Sequence, residues 1–127
     1  MFAVDGLNIT ITRGDTGTLE IVFRGDVPLS TNRDTVIAAL KKSASRKDAT
    51  WEKTLVETET GEDDGGAYSK YELELESNDT ESLSFGTYCW DFRIIYGDGQ
   101  ITTPFRKPAS FVVAEVATNL PREGDGG

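Results

Sequence analysis

Histidine is absent from this 127-residue chain, and cysteine and methionine each occur once. Without histidine the commonest general base and metal ligand are missing, so neither a Ser-His-Asp nor a Cys-His arrangement can be assembled. A single Cys89 cannot close a disulfide within the chain and excludes a cysteine-built zinc site. It has no basic sequence neighbour to activate it, and fits a small packed residue in a reducing compartment. No apolar run approaches the roughly 20 residues needed to span a bilayer. The opening "MFAVDGLNIT" has neither a basic start nor a long apolar stretch, so no signal peptide is expected. Basic residues are also scarce: 13 against 22 acidic, a net charge of -9. Such a surface repels phosphate backbones and anionic lipid, so neither nucleic acid nor membrane is expected as a partner.

What is present argues for one folded domain. Hydrophobic residues make up 37% of the chain, and aromatics recur along it at Phe23, Trp51, Tyr71, Tyr88, Trp90, Phe92 and Phe111. That is too apolar for disorder, and the length suits a single core. Residues 1–116 read as the domain. The stretch "ATNLPREGDGG" (117–127) lacks periodicity and reads as a disordered tail.

Period-two patterns dominate within that domain. "LNITIT" (7–12) alternates Leu7, Ile9 and Ile11 with polar residues, and "TLEIVF" (18–23) places Leu19, Ile21 and Phe23 on one face. "TVIAALKK" (35–42) reads as a buried strand, and "WEKTLVETET" (51–60) as a weaker strand at a sheet edge. "GEDDGG" (61–66) is a glycine-rich turn or loose loop. "YSKYELELES" (68–77) turns Tyr71, Leu73 and Leu75 inward and Glu72, Glu74 and Glu76 outward, a solvated face that discourages pairing with a stranger's edge. "SNDTESL" (77–83) opens on capping residues with Glu81 in reach, enough for one helical turn.

"GTYCWDFRIIY" (86–96) is a long strand with Tyr88, Trp90, Phe92 and Ile94 on one face. "YGDGQI" (96–101) closes a tight hairpin through Gly97, Asp98 and Gly99. "QITTPF" (100–105) returns, with Pro104 placing it at an edge or an end, and "ASFVVAEV" (109–116) is the last strand. About eight short strands without βαβ alternation predict an all-β antiparallel sandwich with one short helical turn.

The corner "ESLSFGTYCWDF" (81–92) is the most informative stretch. A small turn, Gly86, then Tyr88 entering a long apolar strand resembles the corner of immunoglobulin-like sandwiches, where a tyrosine hydroxyl bonds back to the turn. In antibody domains a cysteine follows that tyrosine by two positions. Here Trp90 stands there and Cys89 faces the other way, so the inter-sheet disulfide is absent.

"NITITRGDTGTLEIVF", "SNDTESLSFGTYCWDFRIIYGDG" and "FVVAEV" together resemble the small immunoglobulin-like sandwich domains of tailed bacteriophage and prophage structural proteins. Among these are the N-terminal domain of baseplate upper proteins and the sandwich domain of minor structural proteins. The resemblance spans most of residues 8–116. It implies a non-enzymatic virion component associated with a tail or baseplate and made in a bacterial cytoplasm. Its partners would be other phage structural proteins, and it could form a homo-oligomer. No cofactor or metal is implied.

Arg-Gly-Asp, a cell-attachment signal in animal adhesion proteins, occurs twice, at 13–15 and 24–26. In both copies glycine beside aspartate is what a turn between strands requires: Gly14 and Gly25 for backbone freedom, Asp15 and Asp26 to bond the backbone beyond. Two further readings stay open. "GEDDGG" and "GDG" offer oxygen ligands, but no twelve-residue calcium loop with alternating ligands and a closing glutamate exists. A stand-alone glycan- or surface-binding module is the alternative function. It rests on exposed tryptophan, and alternation leaves only Trp51 as the candidate.

Overall fold

In the computed structural model, residues 1–24, 29–30, 32–105 and 107–115 are described. They contain ten strands and one helical turn: β1 (Phe2–Asp5), β2 (Asn8–Thr12), β3 (Gly17–Arg24), β4 (Thr35–Lys41), β5 (Trp51–Thr54), β6 (Val56–Asp63), β7 (Gly66–Leu75), α1 (Ser77–Thr80), β8 (Gly86–Ile95), β9 (Ile101–Thr102) and β10 (Ala109–Ala114). They form two sheets. The larger runs β1-β2-β10-β8-β4-β5, with β9 also on β8, and the smaller runs β3-β7-β6. The alternation read in the sequence packs these sheets face to face. Ile9, Ile11, Val36, Leu40, Trp90, Phe92, Phe111 and Val113 meet Leu19, Tyr71, Leu73 and Leu75 in one buried cluster. Phe23 bridges the layers, its ring edge-on to Phe92 across the core at 5.6 Å and to Tyr71 at 5.5 Å.

The connectivity is that of an immunoglobulin-type sandwich. One sheet holds the second, fifth and fourth strands of that plan (β3-β7-β6). The other holds the seventh, sixth and third with a further strand beyond (β10-β8-β4-β5). The opening strands β1 and β2 lie on the larger sheet beside β10.

Several details depart from the sequence reading. The β2–β10 pairing is parallel, so the sandwich is not purely antiparallel. Ten strands replace about eight for two local reasons. The first is that Phe2–Asp5, too short to show a period, forms a hairpin with β2. Leu7, expected inward with Ile9 and Ile11, sits instead in that hairpin's turn after Gly6 and is exposed.

The second is that the run 51–60 is two strands in different sheets. Leu55, fully inside, marks the crossover, and its N–H donates to the Val36 carbonyl at 2.8 Å. The return strand "QITTPF" keeps its place in the count but pairs over only two residues, after which Phe105 folds in against Trp90 and Phe92. The loop read at 61–66 shrinks to a turn at Asp64–Gly65, because β6 pairs with β7 as far as Asp63↔Gly66. The helical turn over 77–80 is capped one residue earlier than expected. Its cap is Glu76, whose N–H donates to the Asp79 carboxylate at 2.7 Å; Ser77 and Glu81 do not perform this role. The tail 117–127, with Val116, lies outside the described residues.

Candidate functional site

Strand register puts the end of β3, Arg33 and Asp34 ahead of β4, the β6–β7 turn and the 96–100 hairpin at one end of the sandwich, the end that carries recognition loops in immunoglobulin-type domains. The hairpin is built locally. Tyr96 N–H donates to Gln100 O at 2.8 Å, Gly99 N–H to Tyr96 O at 2.9 Å, and Gln100 N–H to the Asp98 carboxylate at 3.0 Å. Gly99 takes a φ of 92°, where a side chain is strained.

Asp34 ties that hairpin to the β3–β4 connection. It is only 2% exposed, yet it is charged. Its carboxylate accepts the Gly97 N–H at 3.1 Å, the Ser30 N–H at 3.1 Å and the Arg33 guanidinium at 2.7 Å. The Arg33 bond, helped by the two backbone donors and opposed by burial, holds the Asp34 carboxyl below its ordinary value. Gly97 is required there by space: a Cβ would stand 2.6 Å from Arg33 Cγ and 3.1 Å from the Arg33 carbonyl. Beside this clasp opens a cleft of about 760 Å³ lined by Leu29, Arg33, Asp34, Tyr96, Asp98, Gln100 and Thr102. Its walls offer an aromatic face, an amide, a hydroxyl and charges of both signs. Asp34 is consumed by its donors and is not a free acid or base.

Asp34 escaped the sequence reading. The only local signal was an acid closing the polar stretch "STNRD" before a buried strand. The partner that gives it meaning, Gly97, is 63 residues away.

The remaining sequence-selected residues fall as follows. Gly86 opens β8, Tyr88 is buried, and its hydroxyl donates to the Ser84 carbonyl at 3.0 Å. Trp90 is 1% exposed and its indole N–H donates to Leu7 O at 2.8 Å. Cys89 is half-buried on the opposite side of the strand. Burial first, then the Asp91 charge, pushes its thiol above the ordinary value.

The first Arg-Gly-Asp is a turn between β2 and β3, closed by Asp15 N–H to Thr12 O at 2.9 Å with Gly14 at φ 88°. The Asp15 carboxylate meets the Met1 amine and not the backbone beyond it. Gly14 N–H donates to Thr80 Oγ1 at 2.8 Å, Ser77 Oγ donates back to Gly14 O, and Arg13 lies over the Phe85 ring at 4.3 Å. Every residue of this tripeptide is engaged internally. In the second copy, Arg24 ends β3 and forms a bidentate pair with Asp63, whose carboxyl it lowers to about 2; Gly25 and Asp26 lie outside the described residues.

Trp51, the one aromatic offered for stacking on sugar, is half-buried. Its N–H donates to Asp79 O at 3.1 Å and its ring packs edge-on to Phe111 at 6.0 Å. Among the described residues no group of His, Cys, Asp or Glu is placed to hold a metal ion, and no helix is long and apolar enough to cross a membrane.

Fold and loop end together define an immunoglobulin-type β-sandwich whose open cleft lies among loops at one end. No family model, curated protein or solved structure matches this chain.

Proposed function

We propose that this chain is a non-enzymatic docking module of a tailed phage or prophage particle, associated with its tail or baseplate and bound to other virion proteins. The observation that carries the reading is the use made of the motif residues behind the phage resemblance. The opening Arg-Gly-Asp turn is clamped by α1, the Tyr88 hydroxyl closes the corner on Ser84, and the Gly-Asp-Gly hairpin is held by Asp34. Side chains spent on corners build a rigid sandwich, and a pre-organised surface of that kind docks with little backbone movement. The loop-end cleft is then a natural seat for a neighbouring protein.

The test is peptide mass spectrometry on density-purified particles from the induced source organism. The chain is expected in a fixed ratio to the tail proteins. Recovery only in the soluble cell fraction overturns the reading.

A further inference from the structure

Among the described residues, besides the two-residue β9, four strands leave an edge open: β1 and β5 on the larger sheet, β3 and β6 on the smaller. Three carry features that turn away a foreign strand. β6 is acidic and breaks register between Glu57 and Glu59; β5 carries Glu52 and Lys53 within its short run; β3 carries Glu20 and Arg24. The sequence of β1, Phe-Ala-Val-Asp, has no lysine, proline or bulge, and its one acid stands at the far end. Val4, on that strand, is 39% exposed.

The backbone shows what the edge offers. Thr12 N–H donates to Met1 O at 2.8 Å, and the register runs on from Phe2↔Ile11 to Asp5↔Asn8. Bonded and non-bonded pairs alternate in an antiparallel ladder. Met1, Ala3 and Asp5 therefore bond to β2, and the N–H and C=O groups of Phe2 and Val4 point outward. The strand is anchored in that position, because the Phe2 ring lies so close over Gly17 that a Cβ there would stand 2.4 Å from it.

We infer that β1 pairs with β1 of a second copy about a two-fold axis at Ala3, joining the two larger sheets into one. With Ala3 facing Ala3, each chain's Phe2 faces the other's Val4, and every outward N–H and C=O finds a partner across the axis. Other registers do worse. A slip of one residue sets outward groups against inward ones. Centring on Val4 puts Phe2 opposite Gly6, which is turned away at φ 63°, and centring on Phe2 leaves Val4 with no described residue opposite. In the Ala3 register Asp5 faces Met1, so no acid opposes another at the seam even though the chain is acidic overall. A two-fold contact of this kind is complementary to itself and closes after two copies. It does not depend on the proposed phage role.

The full chain is tested by analytical ultracentrifugation across micromolar concentrations. The mass is expected to rise from 13.9 kDa toward twice that value. Val4→Lys is expected to hold it at the monomer mass, with the unfolding midpoint that the wild type shows when diluted to monomer. In a Cys89→Ser background, Ala3→Cys is expected to form an intermolecular disulfide on mild oxidation. Facing residues in a non-bonded pair have Cα atoms about 4.5 Å apart, within disulfide reach. Glu62→Cys, on the guarded β6 edge, is expected to stay unlinked. A wild-type chain that is monomeric at every concentration overturns the inference. So does a dimer that survives Val4→Lys while Ala3→Cys stays unlinked. If Val4→Lys fails to fold, the Ala3→Cys cross-link decides alone.

Discussion

Single residues at the two ends of the sandwich carry polar bonds that the core cannot replace. Asp34 is the strongest case, because it is 2% exposed and removing it leaves the Ser30 and Gly97 N–H groups without their acceptor. Each donor left unpaired costs about 1–3 kcal/mol, so Asp34→Ala is expected to lower unfolding free energy by at least about 2 kcal/mol in urea titrations. Gly97→Ala should act through the same clasp, since the added methyl pushes the hairpin off Arg33. Loss of less than about 0.5 kcal/mol in both variants would show that the clasp does not order the loop end. Tyr88→Phe removes one hydrogen bond from an otherwise unchanged ring and is expected to cost about 1 kcal/mol, read from the shift in urea midpoint.

Among the elements, β8 is the spine. It touches β4 along one edge and β10 then β9 along the other, and its inward side chains contact both layers. Phe92 meets Phe23 across the core, so Phe92→Ala is expected to cost about 3–5 kcal/mol. Ile101→Ala, at an exposed position on β9, should stay within about 0.5 kcal/mol; circular dichroism melts compare the two.

The pattern of β8 was legible because both its faces obey a period of two over ten residues. The division of 51–63 between sheets was not, since the same alternation runs through the crossover and only the burial of Leu55 marks it. β1 was illegible for another reason: four residues cannot establish a period, and its place is set by pairing with β2. The small α1 matters beyond its length. Its Asp79 receives Lys53 at 2.7 Å and the Trp51 N–H, while its Thr80 holds Gly14. It therefore fastens β5 and the first turn to one point.

Two expectations belong to the molecule as a whole, and the first comes from its acidic groups. Asp34 and Asp63 both have carboxyls depressed in the folded state by an arginine. Groups of that kind stabilise the fold fully above the ordinary carboxylate range near pH 4, and the contribution is lost as pH falls through the folded values. Thermal midpoints are therefore expected to fall between about pH 5 and about pH 2, and less steeply in Asp34→Asn, which lacks the titrating group. An equal slope in that variant would remove Asp34 from the account.

The second expectation concerns adhesion. The Arg13-Gly14-Asp15 turn is bonded into α1 and the first strands, so animal cells are expected to attach no better to a surface coated with this chain than to one coated with Asp15→Glu. Preferential attachment to the wild type would contradict the turn assignment.

Composition alone excluded histidine chemistry and an internal disulfide, and alternation alone identified a β-sandwich and most of its inward residues. Those properties depend on residue type and on spacing within one strand, which a linear chain displays directly. The corner before β8 was also visible, because Gly86, Tyr88 and Ser84 lie within five positions of each other. Only the tertiary structure decided the buried role of Asp34, the half-buried place of Trp51, the internal use of the first Arg-Gly-Asp and the parallel seam of β2 with β10. Each joins residues tens of positions apart, and what an isolated aspartate or tryptophan does depends on which distant backbone group folding brings against it.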